Sequence, residues 1–89
     1  MTLKIKFFAY FRDLFGARER DLVLDAAATV GGVLDVLTDT PERRAEIFAG
    51  AELKPHLVLL LNGAPPLRGL STPLADGDTL AIFPLLGGG

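Results

Sequence analysis

The residues of this chain best placed to do chemistry are its last ones. Phe83-Pro84-Leu85-Leu86-Gly87-Gly88-Gly89 runs from a strand-like stretch, through a proline and an apolar pair, into glycines that carry a main-chain carboxylate. A carboxylate is a poor electrophile until its oxygen becomes a leaving group, and adenylation by ATP achieves that. Glycine gives such a terminus minimal width and free dihedral angles, so that it can thread into another enzyme's narrow site. The residues after Pro84 extend to at most about 17 Å. The competing reading is a frayed end with no role; against it, no polar linker separates the glycines from the strand, the proline and the apolar pair.

No other constellation in the chain competes. His56 is the single histidine and has no sequence partner for metal binding or acid–base work. Asp76-Gly77-Asp78 lacks the further acids of a calcium loop and reads as a tight turn. Gly31-Gly32 lacks the flanking pattern of a phosphate-binding loop and reads as a site of close backbone packing. The chain has no cysteine, which excludes disulfides, thiolate metal sites and a thiol nucleophile. A formal net charge of −2, with basic residues dispersed among acids, lacks the footprint of nucleic-acid binding. The longest aliphatic run, Leu57 to Leu61, falls far short of the roughly 20 residues that span a bilayer. The opening Met1-Thr2-Leu3-Lys4-Ile5-Lys6 shows no secretory pattern, so a soluble cytoplasmic protein is expected.

The rest of the chain must position that terminus. Leu3, Ile5, Phe7 and Ala9 alternate with Lys4, Lys6, Phe8 and Tyr10, the period of a strand with one buried face. Phe8 and Tyr10 on the other face are either covered by a neighbour or part of a contact surface. Phe11, Leu14 and Phe15 recur at helical spacing before Gly16, and Arg18 to Asp25 return to alternation as a second, antiparallel strand. Thr29 caps a helix that turns Val30, Val33, Leu34 and Leu37 inward. Pro41 follows a second capping residue, Thr40. Glu42, Arg43, Arg44 and Glu46 read as a solvated face. Leu57 to Leu61 is apolar on both faces, as in a strand inside a sheet. Leu67 to Leu74 is irregular, and Thr79 to Phe83 forms the last strand, ended by Pro84.

This order describes an α+β domain, a β-grasp roll in which the last strand lies parallel beside the first and a mixed sheet packs on one main helix. Residues 1–84 form the domain and residues 85–89 a flexible di-glycine tail. Phe8, Tyr10, Phe83 and one side of Leu57–Leu61 would then leave an apolar patch where the tail departs, and such a patch marks a protein partner.

Lys6-Phe7-Phe8-Ala9, the Thr29-Val30 helix start, Asp76-Gly77-Asp78, Phe83-Pro84 and the terminal Gly88-Gly89 resemble the ubiquitin-like sulfur carriers, and among them the small subunit of molybdopterin synthase. The resemblance implies a sulfur-carrier cycle with no bound cofactor. An E1-like enzyme uses ATP to adenylate Gly89, a sulfur donor converts it to a thiocarboxylate, and the large subunit of molybdopterin synthase receives the sulfur. By the same resemblance Gly88 gives clearance, and Phe8, Phe83, Pro84, Leu67, Leu85, Leu86 and Gly87 meet partners. The chain is then a carrier subunit rather than an enzyme. Leu85 after Pro84, where the family often has a second proline, leaves other readings open: a carrier for tRNA thiolation, thiamine or cysteine synthesis, a ubiquitin-like protein modifier, or a plain interaction domain.

Overall fold

The computed structural model describes residues 1–85. Strand β1 (Thr2–Phe7) leads through the short helix α1 (Phe11–Phe15) to β2 (Glu19–Val23). Helices α2 (Val30–Leu37) and α3 (Pro41–Ile47) follow, then the small pair β3 (Phe48–Ala49) and β4 (Glu52–Leu53). Strand β5 (Leu57–Leu61), a 3-10 turn at Gly69–Ser71 and β6 (Thr79–Pro84) complete the order. The four-stranded sheet runs β2-β1-β6-β5, with β1 antiparallel to β2, parallel to β6, and β5 antiparallel to β6. This is the β-grasp arrangement: a mixed sheet with helices packed on one face.

Alternation decides which side chains meet the helices. Leu3, Ile5 and Phe7 of β1, Leu22 of β2, Leu59 of β5, and Leu80 and Ile82 of β6 are all buried. They pack in one cluster with Val30, Val33, Leu34 and Leu37 from the inner stripe of α2, and with Phe11 and Ile47. Caps hold the helices where the sequence places them. The Thr29 hydroxyl accepts the Gly32 N–H at 3.2 Å, and the Thr40 hydroxyl accepts the Arg43 N–H at 3.2 Å with Pro41 in the first helical turn. Each such cap stabilises its helix by about 1 kcal/mol.

Gly31 is a packing glycine, as its surroundings show. A Cβ there would lie 3.1 Å from the Leu70 carbonyl oxygen, a backbone atom of the segment that crosses α2. Gly31→Val is therefore expected to destabilise the domain by about 1–3 kcal/mol, read as a lower urea midpoint with an unchanged m-value. The Asp76-Gly77-Asp78 segment is equally structural. The Asp76 carboxylate accepts the Thr2 N–H at 2.7 Å, and the Asp78 carboxylate accepts the Ala75 N–H at 2.8 Å, around a Gly77 with φ +87°.

Three expectations from the sequence give way. Strand β5 is a rim strand, not an interior one. Its second apolar face, Val58 and Leu60, is only half-buried and lies on the side of the sheet away from the helices. Tyr10 is not on that face with Phe8. Ala9 adopts φ +54° and turns the chain into α1, so Tyr10 stacks obliquely on Phe11 at 4.6 Å and donates to Glu46 at 3.4 Å. Burial, and then the Glu46 charge, raise the Tyr10 hydroxyl above its ordinary pKa. Arg43, finally, is no solvated surface charge: its Nε donates to the Leu14 carbonyl at 3.0 Å while its guanidinium covers the Phe15 ring.

Candidate functional site

The face of the sheet opposite the helices carries the aromatic pair that the sequence singled out. The side chain after Phe7 must point away from the core, and the Phe8 N–H is held by the Ile82 carbonyl at 3.2 Å, which extends the β1–β6 ladder by one rung. On β6, Phe83 alternates with the buried Ile82 and Pro84, and so faces the same way. The two rings stack with centroids 4.1 Å apart and planes 10° from parallel.

Register fills in the surroundings. Val58 lies opposite Phe83, and Leu60 opposite Ala81, so these side chains continue the apolar surface toward the β5 rim. Lys6, beside Ala81, and Lys4, beside Thr79, begin the charged half of the same face, where Lys4 pairs with Glu19 at 3.7 Å. Arg12 of α1 reaches back over the turn. Its Nε donates to the Phe7 carbonyl at 3.1 Å, and its guanidinium stands 5.5 Å from the Phe8 ring centroid. The Phe8 ring thus has Phe83 and Arg12 as neighbours, and the cation–aromatic contact contributes about 0.5–1 kcal/mol. The sequence named the two phenylalanines and one side of Leu57–Leu61, which the pairing shows to be Val58 and Leu60, but not Arg12 or Ala81; Arg12 gave no signal beyond its place one helical turn after Phe8.

The chain leaves the sheet at this patch. Pro84 is buried and pairs with Leu57, and the Leu85 N–H donates to the His56 carbonyl, the last rung among the described residues. His56 therefore has a place in the site through its backbone. The Leu85 side chain is 59% exposed. Leu67 stands apart from the stack in the loop after β5, 98% exposed, where the Gly69 N–H to Pro66 carbonyl bond and the Arg68 N–H to Thr72 hydroxyl bond fix the backbone on either side of it. Leu86, Gly87, Gly88 and Gly89 lie outside the described residues.

Chemically, this is a platform and an exit. Among the described residues no group of three or more histidine, aspartate or glutamate side chains stands close enough to hold a metal ion. Among the same residues no helix is long and apolar enough to cross a membrane.

The sequence model of the ThiS family matches residues 5–89, from the first strand to the terminal glycine. The chain belongs to the ThiS family. This ThiS-family chain is 38% identical over 92 residues to small archaeal modifier protein 3 of Haloferax volcanii, with the whole of both chains covered. It is 37% identical over 86 residues to small archaeal modifier protein 1 of the same organism, covering 94% of this chain and 97% of that one. The crystal structure of SAMP1 from Haloferax volcanii superimposes with a TM-score of 0.83 at 32% identity, over the full length of both chains.

These relatives overturn the expectation of a molybdopterin synthase small subunit and of sulfur delivery to the large subunit of that enzyme. Both of these curated relatives, which match 94% or more of the chain, are named as modifiers. The physical reason is that the motifs behind the expectation do not discriminate. Lys6-Phe7-Phe8-Ala9 builds the first strand and its turn, Asp76-Gly77-Asp78 ties the last loop to Thr2, and Phe83-Pro84 closes the sheet. They report the architecture, not what receives the terminus.

Proposed function

We propose that this chain is a ubiquitin-like protein modifier, joined through Gly89 to lysine amines of other proteins. The observation that carries the reading is the full-length similarity to proteins named as modifiers. The placement of the apolar platform beside the chain's exit from the sheet supports it. An E1-like enzyme grips the Phe8–Phe83 patch, with Val58 and Leu60 at its margin, while the residues after Leu85 extend into its nucleotide site. There the Gly89 carboxylate oxygen attacks the α-phosphorus of ATP and pyrophosphate leaves. The lysine nitrogen then attacks the acyl carbon, AMP departs with the C–O electron pair, the nitrogen's proton passes to water, and an amide remains. Gly88 and Gly87 keep the approach narrow. Leu67, Leu85 and Leu86 add apolar contacts to the partner.

The untagged chain, incubated with ATP and an E1-like enzyme in extract of its own cells, is expected to appear in higher-mass species detected by antibody. Digestion of those species should release branched peptides with Gly89 amide-linked to lysine. Adenylation without any amide-linked product would overturn the modifier reading.

A further inference from the structure

Strand β2 forms one rim of the sheet, with β1 on its inner side and no strand on its outer side among the described residues. Its pairing decides which backbone groups are free. The Leu24 N–H donates to the Met1 carbonyl, the Met1 amino group donates to the Leu24 carbonyl, and the Phe7 N–H donates to the Arg18 carbonyl. Hydrogen-bonded pairs alternate along an antiparallel ladder. Arg20 and Leu22 therefore turn inward like Arg18 and Leu24, and Glu19, Asp21 and Val23 turn their N–H and C=O groups outward.

Beside the C-terminal half of this open edge lies an apolar groove of about 620 Å³, lined by Leu24, Ala26, Ala27, Ala28, Val36 and Pro73. Val36 is 47% exposed in it, and Val23, at the edge itself, is 71% exposed. Toward the other end, the exposed Arg18 and Arg20 share the helix-facing side of the strand with Leu22 and Leu24. One face of the edge thus runs from apolar at Leu24 to cationic at Arg18. A second copy of β2 fits poorly: antiparallel pairing about Asp21 sets that carboxylate against its own equivalent.

We propose that the outer edge of β2 is a peptide-binding site for an extended segment of a partner protein. The segment adds as a further strand, antiparallel to β2, the more stable sense of pairing. On its helix-facing side it carries apolar residues in its N-terminal half, which enter the groove between β2 and α2. Acidic residues follow on the same side, where they meet Arg20 and Arg18. The site lies at the opposite rim of the sheet from β5 and leaves Phe8 and Phe83 free.

The test titrates the isotopically labelled full chain with the capped peptide Thr-Ile-Thr-Val-Thr-Asp-Thr-Asp, with the reversed sequence as control. Expected are shifts at the amides of Glu19, Asp21 and Val23 and the methyls of Leu24 and Val36, with slowed exchange at those amides. Asp21→Pro removes one outward N–H without touching the β1 ladder, and Val36→Lys puts a charge in the groove; each should weaken binding at least about tenfold. Should the proline variant fold poorly, the exposed Val36 position carries the test. The proposal is overturned by an absence of shifts at about 1 mM peptide, by shifts centred on Phe8 and Phe83, or by equal binding of the reversed peptide. Protection of the same amides that grows with protein concentration before peptide is added would assign the edge to a second copy and overturn it equally.

Discussion

Deleting Gly88 and Gly89 is expected to abolish conjugation and leave the thermal midpoint essentially where it was. The last backbone rung of the described structure joins Leu85 to His56, and the core cluster ends at Ile82, so every interaction described among residues 1–85 survives the truncation. The reactive carboxylate, however, retreats by about 7 Å. An adenylating site built around an extended terminus then finds its acyl oxygen far from the α-phosphorus. Misplacing a reacting atom by even 1 Å costs on the order of a hundredfold, so the loss should exceed that in both ATP–pyrophosphate exchange and conjugate yield. A truncated chain that still conjugated would mean that the acceptor carbonyl is not the terminus.

The sequence made some of this arrangement legible and hid the rest for identifiable reasons. Thr29 and Thr40 could be read as caps because capping acts within one helical turn, and the last strand could be placed beside the first because crossover handedness leaves few topologies for this order of elements. Tyr10 was misplaced because the alternation of β1 runs on unbroken past Ala9, and an alanine at φ +54° announces nothing. The rim position of β5 was hidden for a different reason. A strand apolar on both faces looks the same whether a second layer covers it or its outer side is left for a partner. Its register was also open, since a slip by one residue exchanges Val58 and Leu60 for Leu57 and Leu59; only the pairing of Val58 with Phe83 and Leu60 with Ala81 fixes it. The groove between β2 and α2 left no trace because it is made of three alanines and side chains from separate elements.

The neighbouring phenylalanines of β1 offer the sharpest separation of fold from function, because one residue of chain carries the side chain from one face of the sheet to the other. Phe7 is 1% exposed and stacks on Phe15 at 4.5 Å inside the core. Phe7→Ala removes a whole buried ring, at about 3–5 kcal/mol. A domain of this size has only about 5–10 kcal/mol in total, so the variant should melt far lower and be cleared by proteases. Phe8 is half-buried between Phe83 and Arg12 on the open face. Phe8→Ala forfeits the ring stack and the cation contact, about 1–2 kcal/mol together, and the protein should remain folded at ambient temperature. What it loses is the centre of the platform offered to the activating enzyme. Truncating such an anchor at an interface costs about 2 kcal/mol or more, a rise of at least roughly thirtyfold in the KM for this chain in ATP–pyrophosphate exchange, with kcat nearly unchanged. Supplying Phe8→Ala at high concentration should then restore exchange, whereas no concentration rescues the chain that lacks its terminal glycines. Equal KM values for the Phe8→Ala variant and the parent would move the docking site off this face of the sheet.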